Sequence, residues 1–212
     1  MALIKEELVN NIVKAITEKG YIIIDNFVPS AILKILQQRI QSLTDNDLKK
    51  AAIGRGELLQ NNEDIRRDKI NWLDKNNQAD NQYLEWMEQL RSALNQKLFL
   101  GLFDYECHYS IYQRGDFYKK HRDALKGKTN RSLSTVLYLN EQWNIDSGGE
   151  LVLYDSDSKT ILEKIMPSTG KLVMFLSEKF PHEVLTAKQK RYSIAGWFRV
   201  NATHSQSVDT LY

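Results

Sequence analysis

The chain has 212 residues, a length that suits one domain at the usual size of roughly 100–200 residues each. Hydrophobic residues make up 42% and charged residues 26%, a globular balance that excludes a wholly disordered chain. The 29 lysines and arginines against 27 acidic residues leave +2, so neither nucleic acid nor an acidic membrane is expected as a partner, and the single cysteine, Cys107, excludes an intrachain disulfide and a Cys-rich zinc module.

Lys5, Glu6 and Glu7 fall where a signal peptide would turn apolar. Runs such as Leu172 to Leu176 are far shorter than the roughly 20 residues of a spanning helix. A soluble, cytoplasmic protein is the expectation.

The first hundred residues carry helical periodicity. Ile4, Leu8, Ile12, Val13 and Ile16 recur at helical steps until Gly20, and Tyr21 to Ile24 reads as a short strand. Pro29-Ser30 opens a second helix, with Ser30 as its expected N-cap and Ile32, Leu33, Ile35, Leu36 and Ile40 on the apolar face. A third helix is expected from Asn81 to about Leu98. Between them, Ile65 to Leu73 is too charged for a core strand and too apolar for a plain linker. It reads as an exposed hairpin arm, or as an arm that closes over a ligand.

After residue 100 the pattern turns to β. Eight strands are expected: Glu106–Tyr112, Phe117–Asp123, Ser132–Asn140, Gly149–Tyr154, Thr160–Met166, Lys171–Ser177, Glu183–Thr186 and Ser193–Val200. Turn signals such as Ser147-Gly148-Gly149 and Pro167-Ser168-Thr169-Gly170 separate several of them. That spacing implies a sandwich, barrel or jelly roll, and the helices of the first half make the whole an α+β domain.

Of the four histidines, two lie in informative settings. In His121-Arg122-Asp123, residues i and i+2 of a strand share a face, so His121 and Asp123 can converge. His182 follows Pro181 at the start of a later strand. One close H-x-D pair plus a distant histidine is the shape of the 2-His-1-carboxylate triad of non-haem iron. A surface pair or a zinc site remains open on these residues alone. Downstream, Arg191, Ser193, Ala195 and Trp197 share one strand face. An arginine pointing into a barrel needs an anion, and its forked donors match a carboxylate.

Taken together, the pieces resemble an iron(II)- and 2-oxoglutarate-dependent dioxygenase of the prolyl 4-hydroxylase-like branch, which includes the oxygen-sensing prolyl hydroxylases and their bacterial relatives. The resembling segments are Tyr112 to Tyr118 leading into His121-Arg122-Asp123, Arg131 through Tyr138-Leu139-Asn140, Trp143, Ser147 to Leu151, Pro167 to Gly170, Pro181 to Val184, and Arg191 with Trp197. Their order and spacing carry the likeness, which runs from about Ile65 to Val200. Residues 1 to about 60 resemble the family only loosely.

The resemblance implies a double-stranded β-helix (jelly-roll) core with N-terminal helices packed on one side. It implies one oxygenase domain over 1–212: helical support with a mobile arm near 63–75 in 1–100, the jelly-roll core in 101–200, and a polar tail in 201–212. It implies Fe(II) as cofactor, held by His121, Asp123 and His182, with 2-oxoglutarate and O2 as co-substrates. Arg191 would pair with the far carboxylate of 2-oxoglutarate, Tyr138 would add a hydrogen bond, and Tyr112 would line the pocket. Arg66, Asp68, Trp72 and Trp197 would lie on the substrate side. The implied reaction hydroxylates a residue, chiefly proline, in a protein or peptide, while 2-oxoglutarate becomes succinate and CO2. A small-molecule or free amino-acid hydroxylase, and an inactive or zinc-filled jelly-roll binding module, are the alternatives.

Overall fold

The computed structural model describes residues 3–51, 62–124 and 130–201, so the expected polar tail beyond Asn201, with His204, lies outside the described residues. The elements follow in the order α1 (Glu6–Glu18), β1 (Tyr21–Ile24), α2 (Ser30–Ser42), β2 (Lys49–Lys50), β3 (Lys69–Trp72), α3 (Gln78–Leu98), β4 (Leu102–Tyr112), β5 (Tyr118–His121), β6 (Arg131–Tyr138), β7 (Leu151–Tyr154), β8 (Ile161–Ile165), β9 (Leu172–Leu176), β10 (His182–Val184) and β11 (Arg191–Val200). All eight strands expected after residue 100 are present, within a few residues at each end.

Two antiparallel sheets result. The larger has the order β1-β9-β6-β11-β4-β3-β2, and the smaller β5-β10-β7-β8. The period-2 alternation of the central strands splits the interior into two layers. On β4, Cys107, Tyr109 and Ile111 face the helices, as do Ile194 and Phe198 on β11 and Leu172 and Met174 on β9; they pack with Ile12 and Ile16 of α1, Leu36 and Ile40 of α2, and Met87, Leu90 and Leu94 of α3. The intervening residues face the smaller sheet. There Tyr112, Tyr138, Val173 and Phe175 pack with Leu151, Leu153, Ile165 and Val184.

Gly196 shows how tightly the helix-side layer is filled. A Cβ on it would lie 2.2 Å from the Tyr105 hydroxyl, so no side chain fits between β11 and that ring.

Three local expectations are corrected. Pro29, not Ser30, occupies the cap of α2, and no side chain caps it: Pro29 holds an extended backbone and Ser30 is already helical. The third helix starts at Gln78, a turn earlier than the apolar stripe suggests, because Asn77 accepts from the Ala79 and Asp80 amides and stops the chain there. Buried Asp80 then takes the Tyr109 hydroxyl at 2.7 Å, tying α3 to the sheet.

The third correction concerns Ile65 to Leu73. Its second half is not an exposed arm but a sheet strand: β3 pairs in register with β4, Trp72 opposite His108 and Lys69 opposite Ile111. The charge that argued against a strand is neutralised locally. Asp68 is 1% exposed and held in a fork by Arg66 at 2.6 and 2.9 Å. Among the described residues, no helix is long and apolar enough to cross a membrane.

Candidate active site

The three donors expected to meet do meet. His121, Asp123 and His182 each offer a ligand atom, all within 4.8 Å of one another. His121 ends β5 and His182 begins β10, and the two stand directly opposite in the antiparallel register. Asp123 lies beyond the end of β5 rather than within it, so strand alternation does not place it. Ser134 of β6 does, donating its hydroxyl to Oδ2 at 2.6 Å, with the Ser177 hydroxyl 2.9 Å behind.

Both imidazoles are oriented for ligation. Nδ1 of His121 meets the Lys119 carbonyl at 2.8 Å, and Nδ1 of His182 meets the Phe180 carbonyl at 3.1 Å. A carbonyl oxygen only accepts, so each Nδ1 carries a proton, and in the neutral ring Nε2 is then the free lone pair. Those Nε2 atoms face Asp123 at 3.6 and 3.5 Å. Burial pushes His182 down to about 4, which keeps it neutral at pH 7. Burial opposes ionisation of Asp123, and the Ser134 hydroxyl, donating to Oδ2, favours the carboxylate. Two imidazoles and one carboxylate are a donor set for a divalent metal with open positions, and they suit Fe(II).

The triad lines a cleft between the two sheets. Its opposite wall is β11. Arg191, Ser193, Ala195 and Trp197 all line it, as their shared strand face requires. Arg191 is 1% exposed. Its Nε donates to the Gly149 carbonyl at 2.9 Å and its Nη1 to the Ser193 hydroxyl at 3.0 Å. Gly149 has φ +67°, and a Cβ there would sit 3.1 Å from Arg191 Cδ, which explains a glycine at this spot. The rings of Tyr112 and Tyr138 flank the guanidinium at 4.9 and 5.1 Å. Arg191 Nη2 and Tyr138 Oη are buried with no hydrogen-bond partner among the described residues. Two unused donors beside a buried cation fit a carboxylate such as the distal one of 2-oxoglutarate.

A family described as the 2OG-Fe(II) oxygenase superfamily matches residues 107–199, the span that holds the triad and Arg191. A solved prolyl-4-hydroxylase from Pseudomonas putida superposes with a TM-score of 0.82 at 37% identity, over 92% of this chain and 100% of that one. The chain belongs to the 2OG-Fe(II) oxygenase superfamily, in its prolyl 4-hydroxylase-like branch. A prolyl hydroxylase from Trichoplax adhaerens, solved in complex with a hypoxia inducible factor oxygen degradation domain peptide fragment, reaches 0.80 at 29% identity over 92% of this chain and 90% of that one. The hypoxia-inducible factor prolyl hydroxylase of Caenorhabditis elegans is 27% identical over 93% of this chain, which spans 29% of that relative's length. The protein is thus a 2-oxoglutarate-dependent dioxygenase, with Fe(II) as cofactor and 2-oxoglutarate and O2 as co-substrates.

The substrate-side residues expected in this oxygenase divide into two groups. Arg66 and Trp197 line the cleft; Asp68 and Trp72 do not. Asp68 stands behind Arg66 as its counter-ion. Trp72 is half exposed and packs edge-on against His108, 5.1 Å between ring centres. Trp197 lies under the Arg131 guanidinium at 3.6 Å, and Arg131 is held by Glu106. Ser134 and Tyr118 were not among the expected site residues. Nothing in a lone Ser134 marks it, and Tyr118 acts through an irregularity of β5 that no periodicity signals.

His108 is expected to make the fold acid-sensitive. Burial, helped by the Arg66 charge and opposed by Asp68, lowers it to about 4 from 6.5. Below 6.5 the unfolded chain therefore binds a proton that the folded one refuses. The stability this neutral histidine allows is complete above pH 6.5 and is lost as pH falls toward 4, by about 3 kcal/mol. His108→Gln should shrink the drop in unfolding free energy between pH 7 and pH 4.5, measured with urea. An unchanged drop would assign the acid sensitivity elsewhere.

Proposed function

We propose that residues 1–212 form one double-stranded β-helix oxygenase domain that hydroxylates a prolyl residue in a protein or peptide, coupled to conversion of 2-oxoglutarate to succinate and CO2. The observation that carries this reading is the pairing, across one cleft, of the His121–Asp123–His182 donor set with buried Arg191 and its unused Nη2. In this reading His121, Asp123 and His182 would hold Fe(II), the two imidazoles offering Nε2. Iron with 2-oxoglutarate and O2 supplies the oxidising power for the hydroxylation.

The chain's residues do the rest. Arg191 and Tyr138 donate to the distal carboxylate of 2-oxoglutarate and so fix which end points at the metal. The Tyr112 and Tyr138 rings keep water from that charge pair, and Ser134 keeps the Asp123 carboxylate from rotating. Ala195 and Ser193 leave room between Arg191 and Trp197 because their side chains are small.

A macromolecular substrate is supported by the Trichoplax relative, whose structure holds a peptide. Arg66 and Trp197 at the cleft are the proposed substrate-side contacts, with Asp68 holding Arg66 from behind and Trp72 just outside the cleft. A cytoplasmic setting suits a protein whose sole cysteine is a buried thiol.

The test is mass spectrometry of proteins from cells with and without this enzyme, followed by reaction of the purified enzyme with the candidate peptide, Fe(II) and 2-oxoglutarate. A gain of one oxygen atom on proline, dependent on all components, is the expected result. Oxygen gain confined to free amino acids or other small molecules would overturn the protein substrate.

A further inference from the structure

We infer that Tyr118 is a positioning residue that carries the seating of the segment 65–67 to the metal ligand His121. This rests on the reading of His121 as a ligand. It begins with an irregularity in β5. His121 lies opposite His182, and Tyr118 opposite Val184, so three steps along β5 match two along β10. The extra residue is a bulge, and it turns two side chains three apart toward one another, where a regular strand would send them to opposite faces. The Tyr118 ring consequently lies flat on the His121 ring, with centres 3.5 Å apart and planes 14° from parallel. The carbonyl that fixes His121 Nδ1 belongs to Lys119, inside the same bulge. The direction of His121 Nε2 is therefore set by the bulge residues themselves.

The outer edge of β5 is where residues 65–67 dock. The Lys119 amide donates to the Ile65 carbonyl at 2.9 Å and the Arg67 amide to the Phe117 carbonyl at 3.2 Å. Arg66 pairs with Tyr118 as an isolated bridge, and its guanidinium carbon lies 4.7 Å from the centre of the Tyr118 ring. The Asp68 fork fixes that guanidinium in turn. A continuous row results: Asp68, Arg66, Tyr118, His121. When the segment 65–67 lifts, Tyr118 loses both a strand partner and a cation, and its ring is free to leave the imidazole. A metal that holds His121 in place favours the seated segment, and by linkage the seated segment favours the metal to the same degree. Substrate arriving beside Arg66 thereby tightens the metal's own ligand.

Titration with Mn(II), a redox-stable stand-in for Fe(II), reads the coupling without turnover. Free Mn(II) is followed by electron paramagnetic resonance, and the Arg67 and Lys119 amides by hydrogen exchange. In the wild type, Mn(II) should bind one to one and slow exchange at both amides. Tyr118→Phe keeps the ring and should match it. Tyr118→Leu should weaken Mn(II) about tenfold, at the low end for an outer partner of a metal ligand, and abolish the slowing. Arg66→Met gives the sharpest reading, because simple Coulomb attraction predicts the opposite sign. Removing a cation and leaving Asp68 unpaired should strengthen binding of a divalent ion, whereas the stack predicts weaker binding. Unchanged affinity in Tyr118→Leu, or tighter binding in Arg66→Met, would overturn the coupling while leaving the metal site intact. Wild-type protein that takes up no Mn(II) would overturn the metal site first and the coupling with it.

Discussion

Replacing Arg191 with alanine is expected to weaken 2-oxoglutarate by roughly two to three orders of magnitude. The guanidinium is 1% exposed, with Nε and Nη1 spent on Gly149 and Ser193 and only Nη2 free. Breaking a desolvated charge pair on one side typically costs about 3–5 kcal/mol, and about 1.4 kcal/mol is tenfold in affinity. Arg191→Lys should fall between, because an ammonium keeps the charge but cannot serve Gly149, Ser193 and a carboxylate in one plane. Tyr138→Phe should lose less, about 1 kcal/mol, since one hydrogen bond is removed and the ring still covers the guanidinium. Titration of 2-oxoglutarate into the oxygen-free, iron-loaded variants, by calorimetry or by the visible charge-transfer band, measures each value. Iron uptake should be almost unchanged. Wild-type affinity in Arg191→Ala would remove the anchor role and leave the buried Nη2 without an explanation.

His182→Ala is expected to abolish coupled turnover and to weaken the metal by at least about 100-fold, beyond the 10–100-fold typical of outer partners. The ring is buried, oriented by the Phe180 carbonyl and packed at 4.7 Å on Phe175, and among the described residues the donor group consists of His121, Asp123 and His182. His121→Ala should behave alike. Neither loss should unfold the protein. The core lies in two apolar layers that do not depend on a metal, unlike a zinc finger. The paired measurements are metal content after dialysis and the cooperativity of urea unfolding. Substantial turnover in either variant would show that its imidazole is not a ligand.

Much of this molecule is written in local patterns. Along β4 and β11 alternation is legible because one face packs on the helices and the other carries polar residues such as Ser110, Arg191 and Ser193 into the cleft, whereas β9 is apolar throughout because the helices cover one face and the second sheet the other. The same alternation puts Arg191, Ser193, Ala195 and Trp197 on one face of their strand, and all four line the cleft. His121 and His182 stand out by their motifs, although only their order and spacing, taken with the neighbouring segments, separate a triad from a surface pair.

Other features required the folded chain. The charged stretch containing Arg66 and Asp68 argued against a strand because a sequence shows two charges but not that they cancel in a fork; once paired, β3 can lie in the sheet. Asp123 lies past the end of its strand, so alternation does not place it, and Ser134, from another strand, holds it. The bulge that lays Tyr118 on His121 adds one residue to β5 relative to β10. A register shift is a relation between two strands, and no single strand's sequence encodes it. Composition and periodicity alone therefore determined which faces are buried and which residue types could bind a metal and an anion. Tertiary structure decided how the charges are neutralised, how the carboxylate is held and what rests on the ligands, because those depend on contacts between segments far apart in the chain.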